Sequence, residues 1–258
     1  MHMSDALVSP PVAGVMGVIS TTLLWIAIRK VKSETNLLPM MGVMGAFTLV
    51  VQMINFAIPG TGSSGHLIGG ILLSALLGPW AGFITLSSVL ILQCLLFAAG
   101  GLLALGCNIF NMAVCSCLIA YPLVFRPLMG NVVSGSRFTL ASIIACTVAL
   151  ELGAAFVAIE TEASGVTALP ISRFLLFLLP IHFVIGLGEG LATSVLFSFL
   201  RRYKPELLQQ ATSPVRLSSQ QMWIGVAVIL VLGICGYFWA SSLPDGLEWS
   251  IERTSVSQ

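Results

Sequence analysis

The chain has 258 residues, of which 57% are hydrophobic and only 8% charged, with a formal charge of +1 and a mean hydropathy of +1.02. A soluble domain carries roughly 25% charged residues, so the composition excludes a water-soluble globule and predicts an all-α polytopic membrane protein embedded in the lipid bilayer. The formal charge of +1 argues nothing about nucleic acid and there is no basic tail, so no nucleic-acid partner is expected.

The chain opens Met1-His2. A free amine followed directly by histidine is a ready-made chelator. The Met1 amine and the His2 backbone nitrogen close one small ring around a metal, and that backbone nitrogen and imidazole Nδ1 close a second. Three nitrogens then lie in one plane with a fourth position open, a geometry that favours Ni(II) or Cu(II) over Zn, Mg or Ca. The first apolar run, about 12–28, is followed rather than preceded by its basic residues, Arg29, Lys30 and Lys32. That order is unlike a cleavable signal, so the N-terminus is expected to stay attached and to lie outside.

Further spans are expected at about 38–57, 67–77, 80–98, 104–125, 139–159, 174–199 and 221–240, giving about eight transmembrane helices: a seven-helix core and one C-terminal span. An unbroken helix over 67–98 would run about 48 Å at 1.5 Å per residue, too long for a core of about 30 Å. Gly78-Pro79 is where it can turn, because proline removes a donor and restricts its predecessor. With that turn, Arg29, Lys30, Lys32, Arg126, Arg137, Arg201, Arg202, Lys204 and Arg216 face the cytoplasm, as the positive-inside rule requires. Met1, His2, the loop from Pro59 to His66, the loop 99–103, the acidic stretch 160–162 and the tail 241–258 then share the outer face. Three regions result: a metal-binding transmembrane core (1–204), a Gln/Ser-rich cytoplasmic linker (205–220) and a single-span module with an outer tail (221–258).

His66 ends the glycine-rich loop and is the only other outward histidine, hence the candidate fourth ligand to Met1 and His2. Ser63 and Ser64 beside it raise the competing possibility of an intramembrane hydrolase. A serine and histidine this close in sequence rarely reach triad geometry, however, and no G-x-S-x-G elbow is present, so no catalytic residue is assigned. Asp5, Ser64, Asn108 and Asn111 are candidates to surround the ligands and orient them. Glu151, His182 and Glu189 are ionisable groups inside predicted spans, where such residues are costly and normally paired. Glu151 and His182 fall at similar depth and are expected to pair. Cys94, Cys107, Cys115, Cys117, Cys146 and Cys235 lie in or beside apolar segments and read as small buried hydrophobes.

Several runs carry a family resemblance: Met1-His2-Met-Ser-Asp5, Gly65-His66-Leu-Ile-Gly-Gly70, Leu77-Gly-Pro-Trp80, Gln93-Cys-Leu-Leu-Phe97, Gly100 to Met112, and Gly186-Leu-Gly-Glu-Gly190. Over roughly residues 1–200 the chain resembles the CbiM/NikM substrate-binding (S) components of energy-coupling-factor nickel and cobalt transporters. The tail Ser241-Ser-Leu-Pro-Asp-Gly-Leu-Glu248 resembles the PDGLE module of their small companion subunit, here fused. The resemblance implies that Met1, His2 and His66 hold a divalent metal. It also implies partnership with a transmembrane coupling (T) component and two ABC-type ATPases, and residence in a bacterial or archaeal cell membrane. No G-x-x-x-x-G-K-[S/T] motif occurs, so ATP hydrolysis is expected only in those partners. Nickel is the expected cargo, with cobalt the alternative. A passive channel, a third class, would work without any ATPase. Met3, Ala6 and Ala99 depart from the family's usual Ile, Gly and acidic residue.

Overall fold

The structure, a computed structural model, describes residues 1–31, 37–58, 61, 63–130, 135–167, 170–203, 220, 223, 227 and 243–256. Seven helices alternate up and down through the bundle: α1 (Pro10–Val31), α2 (Leu38–Gln52), α3 (Gly70–Leu77), α4 (Pro79–Phe97), α5 (Leu105–Met129), α6 (Gly135–Ser164) and α7 (Ile171–Tyr203). Five of them, α1, α4, α5, α6 and α7, are long and apolar enough to cross a membrane. A further helix, α8 (Gly246–Val256), packs on α7. The expected linker 205–220 and final span 221–240 fall almost wholly outside the described residues.

The break expected at Gly78-Pro79 is present. Gly78 takes φ +82°, which glycine alone adopts without steric cost, and Pro79 starts α4. The preceding helix α3 is only eight residues long and almost wholly buried. Lys30, at the end of α1, sits 4.0 Å over the Trp80 ring, so the basic end of α1 meets this turn. Arg126, Arg137, Arg201 and Arg202 lie at helix ends on the same side of the bundle.

Three expectations need correction. Helix α2 stops at Gln52 instead of 57. Residues 56–58 instead form strand β1 (Phe56–Ile58), antiparallel to β2 (Ser63–Gly65). The physical reason is that β2 is fully buried, and buried backbone N–H and C=O groups need partners. Strand β1 supplies them on one side, and on the other Ser64 N donates to Pro244 O at 2.7 Å. Second, the helix expected over 67–77 begins only at Gly70. Within α6 the acidic stretch 160–162 is partly buried. Glu160 turns inward to accept a 2.7 Å hydrogen bond from Asn111 Nδ2.

Third, Glu151 and His182 do not pair. Helices α6 and α7 pack closely because Gly186 lies against Thr147 and Gly190 against Ile143, a register that does put residues 151 and 182 at one level. His182, however, donates from Nδ1 to Leu178 O on its own helix (2.8 Å), and Glu151 Oε1 has no hydrogen-bond partner among the described residues. A carbonyl one turn back takes the Nδ1 proton without a charged neighbour, and Nε2 has no hydrogen-bond partner among the described residues. The described cysteines are free thiols, four of them buried, as their apolar settings predicted.

Candidate metal site

At the end of the bundle opposite the arginines, the first residues of the chain thread into the protein. Met1 and Met3 are buried, at 4% and 0% exposure. Asn108, at the start of α5, brackets Met3: its Oδ1 accepts from Met3 N (2.7 Å) and its Nδ2 donates to Met3 O (3.1 Å). Gly101 N also donates to Met3 O at 2.9 Å. The Gly100-Gly101 pair makes this approach possible, because a Cβ at Gly100 would lie 2.7 Å from Asn108 Nδ2 and one at Gly101 would collide with Asp5. Asp5 Oδ1 accepts from Ala104 N at 3.1 Å, closing the segment against the loop before α5. Met3 and Asp5, which follow the N-terminal dipeptide, are thereby fixed by hydrogen bonds.

The structure brings Met1, His2 and His66 together. Met1 N lies 3.4 Å from His66 Nε2, and the His2 and His66 ring centroids are 5.0 Å apart. With metal–nitrogen bonds of about 2 Å, as for zinc–imidazole, two ligands of one ion cannot be more than about 4 Å apart, and the Met1–His66 separation meets that limit. Among the described residues no group of three or more His, Cys, Asp or Glu side chains is placed to hold a metal. The nitrogen donors gathered here are the Met1 amine, the His2 main chain and the two imidazoles.

The hydrogen bonds set which nitrogens are bare. Gln93 Oε1 accepts from His2 Nε2 at 3.1 Å, leaving the lone pair on His2 Nδ1, the nitrogen that can close a chelate ring with the His2 backbone. His66 Nδ1 faces Leu67 O at 3.4 Å, leaving its lone pair on Nε2, toward Met1 N. The two rings thus adopt opposite tautomers, fixed by the partner of the other nitrogen. Burial, and then the positive charge of the Met1 ammonium, lowers His2 to about 4; the Gln93 bond opposes this only in part. The same two causes hold His66 well below the ordinary histidine range. Both rings are therefore neutral, the state a ligand needs, at neutral pH.

Two contributors were missed from sequence. Gln93 is one, a buried amide in an otherwise apolar helix. The other is Asp245, whose Oδ2 pairs with the Met1 ammonium at 3.1 Å. Burial would raise the Asp245 carboxyl, but the ammonium and the N–H groups it accepts hold it well below the usual carboxylate range. The four residues expected to surround the ligands are placed differently from one another. Asn108 and Asp5 fix the N-terminal segment as described. Asn111 reaches Met3 Sδ (3.5 Å) and Glu160 rather than a histidine. Ser64 Oγ donates to Leu243 O (2.7 Å), so its hydroxyl is committed to the tail and not to a nucleophilic role.

Glu189 reaches the site through the backbone. Its carboxylate accepts from Ile68 N (2.7 Å) and Gly69 N (3.0 Å), pinning the segment that follows His66 to α7. His182 lines a cavity of about 10 Å³ together with Met1, His66 and Asp245. A larger cavity of about 420 Å³ opens beside the site, lined by His2, His66, Gln52, Asn55, Gln93 and Glu248 among others.

Solved structures share this architecture. A truncated transition-metal transporter matches with a TM-score of 0.69 and 30% identity, covering 79% of this chain and 99% of its own. A multi-pass bundle of this shape, with nitrogen donors gathered at one end, defines a membrane transporter for metal ions rather than an enzyme. The family described as the cobalt uptake substrate-specific transmembrane region, CbiM, matches residues 2–207, and the chain belongs to it. Among its relatives are a putative fused nickel transport protein, NikMN, of Archaeoglobus fulgidus and a probable fused nickel transport protein, LarMN, of Lactiplantibacillus plantarum. The first is 32% identical, covering 84% of this chain and 71% of the relative. The second is 30% identical, covering 100% of this chain and 82% of the relative.

Proposed function

We propose that this protein is the substrate-binding component of an ATP-driven energy-coupling-factor importer and that it captures Ni(II) at the outer face of a bacterial or archaeal cell membrane. The ligands in this reading are the Met1 amine, the His2 backbone nitrogen and Nδ1, and His66 Nε2. One observation carries it: two neighbouring imidazoles hold opposite tautomers, and each leaves bare the nitrogen that a planar four-nitrogen set requires. Planar nitrogen coordination favours nickel, as do the names of the fused relatives that span most of this chain. The family description favours cobalt, which is the alternative cargo.

The chain's own residues then divide the work. Gln93 orients the His2 ring, Asn108 and Gly101 hold the peptide that follows it, and Glu189 fixes the His66 segment to α7. The basic helix ends opposite the site support an outer-face placement, since the positive-inside rule favours basic residues on the cytoplasmic side. Movement inward requires a T component and two ABC-type ATPases as partners. The test is nickel uptake by cells expressing the chain with and without those partners, alongside nickel binding by the purified chain. Uptake only with the partners, and one nickel bound per chain that His66→Ala abolishes, is the expected result. Uptake without any ATPase would identify a passive channel instead. The chelate requires the mature chain to begin at Met1, which an intact-mass measurement checks.

A further inference from the structure

The described C-terminal segment does not hang free of the core. Ser64, two residues before His66, holds it by both main chain and side chain. Its N–H donates to Pro244 O (2.7 Å), its hydroxyl donates to Leu243 O (2.7 Å), and it bridges Asp245 in parallel register. Gly246 lies so close to α7 that a Cβ there would be 2.5 Å from Ile181 Cγ2. This seating leaves Asp245, itself only 18% exposed, at the N-terminal amine.

The two carboxylate oxygens of Asp245 are assigned to different tasks. Oδ1 accepts from Leu247 N (2.8 Å) and Glu248 N (2.9 Å), capping α8, while Glu248 Oε2 accepts from Asp245 N (3.2 Å). This reciprocal pair is a capping box, and the two main-chain bonds to Oδ1, which do not involve the Glu248 side chain, hold the aspartate in one rotamer. Oδ2 is left for Met1 N at 3.1 Å. An amine bound to a metal keeps two N–H groups, so Oδ2 can go on accepting from it while its lone pair turns to the ion.

We propose that the tail is part of the metal site, with Asp245 the positioning residue that holds the Met1 amine beside His66. This rests on the chelate reading above and adds a residue to it. A carboxylate that orients a metal's ligand is worth about 10- to 100-fold in affinity, and that is the loss expected when it is removed.

The cap and the amine contact can be separated by substitution. Asparagine and serine cap helices about as well as aspartate. In Asp245→Asn the amide oxygen is required by the cap N–H groups, which turns the NH2 group toward the amine and ends the contact. In Asp245→Ser the side chain is too short to reach it. The experiment is nickel titration of the full-length protein with Asp245→Asn, Asp245→Ser, Glu248→Ala and His66→Ala. The reactivity of the Met1 amine toward an acylating reagent is read in parallel by mass spectrometry. Asp245→Asn and Asp245→Ser should bind nickel about 10- to 100-fold more weakly and expose the amine to faster acylation. Glu248→Ala, which leaves Oδ2 on Met1, should change neither by more than about threefold. Wild-type affinity and acylation in both Asp245 variants, beside a lost site in His66→Ala, would overturn this proposal alone. Equal weakening in Glu248→Ala would also overturn it, by tracing the loss to tail packing. Wild-type affinity in His66→Ala would overturn the chelate itself and the proposal with it.

Discussion

Lowering the pH should weaken nickel binding, with a slope that the site fixes. As a ligand the Met1 nitrogen, 3.1 Å from Asp245 Oδ2, must offer a lone pair and so give up the proton of its ammonium form. The His2 amide must release a second to become a ligand. The imidazoles release none near neutrality, because burial and the ammonium hold His2 at about 4 and His66 well below the ordinary 6.5. Two protons released per ion make the affinity fall about 100-fold for each pH unit between about 6 and 7, or about 2.7 kcal/mol. The sign is fixed: ligands that must lose protons bind more tightly as pH rises. Competition against a nickel chelator of known proton affinity, repeated across that window, measures the slope. Calorimetry in two buffers of different ionisation enthalpy counts the protons independently. A site made from two ordinary imidazoles would show an inflection near pH 6.5 and level off above it. That profile, or a slope of one proton or fewer, would refute the coordination set.

Other substitutions separate orientation from ligation. His66→Ala should reduce nickel affinity by at least about 100-fold, since it removes a ligand outright, whereas Ser63→Ala should leave it unchanged; titration of the purified variants compares them. Gln93→Leu removes the acceptor that fixes the His2 tautomer, and should weaken binding by about 10- to 100-fold while the protein still folds, as size-exclusion chromatography and circular dichroism would show. The metal-free protein should lose thermal stability as pH falls from about 6.5 toward about 4. Unfolded histidines gain protons across that window, while folded His2 and His66 stay neutral. A melting temperature flat over the window would contradict the burial of both rings.

Much of this was legible in the sequence because its causes are local. The spans among the described residues follow from apolar runs and the turn at Gly78-Pro79 from backbone restriction, and the amine and imidazole of the proposed chelate belong to two adjacent residues. The rest depends on long-range docking. The hairpin 56–65 was unreadable because β2 has no strand-like side chains (Ser63-Ser64-Gly65) and is held by neighbours on both sides, one of them 180 positions away. Asp245 could be recognised as a helix cap from Asp245-Gly-Leu-Glu248, but nothing in those residues says that the cap's second oxygen meets Met1. The pairing of Glu151 with His182 failed for the opposite reason. Depth was predicted correctly, yet an own-helix carbonyl competes for a histidine at no cost in order. Gln93 left a signal, a lone amide in an apolar helix facing the site loop, that a strict count of ionisable residues passes over.

A planar set of four nitrogens built on the free N-terminal amine has a distinctive signature. It is read from the electronic spectrum and magnetism of the nickel-loaded protein, beside a variant that carries one extra residue before Met1. Low-spin square-planar Ni(II) is diamagnetic and yellow, and the extended variant, whose imidazole is out of register with its amine, should lose both the band and tight binding. A paramagnetic six-coordinate spectrum, or full binding by the extended protein, would contradict the account.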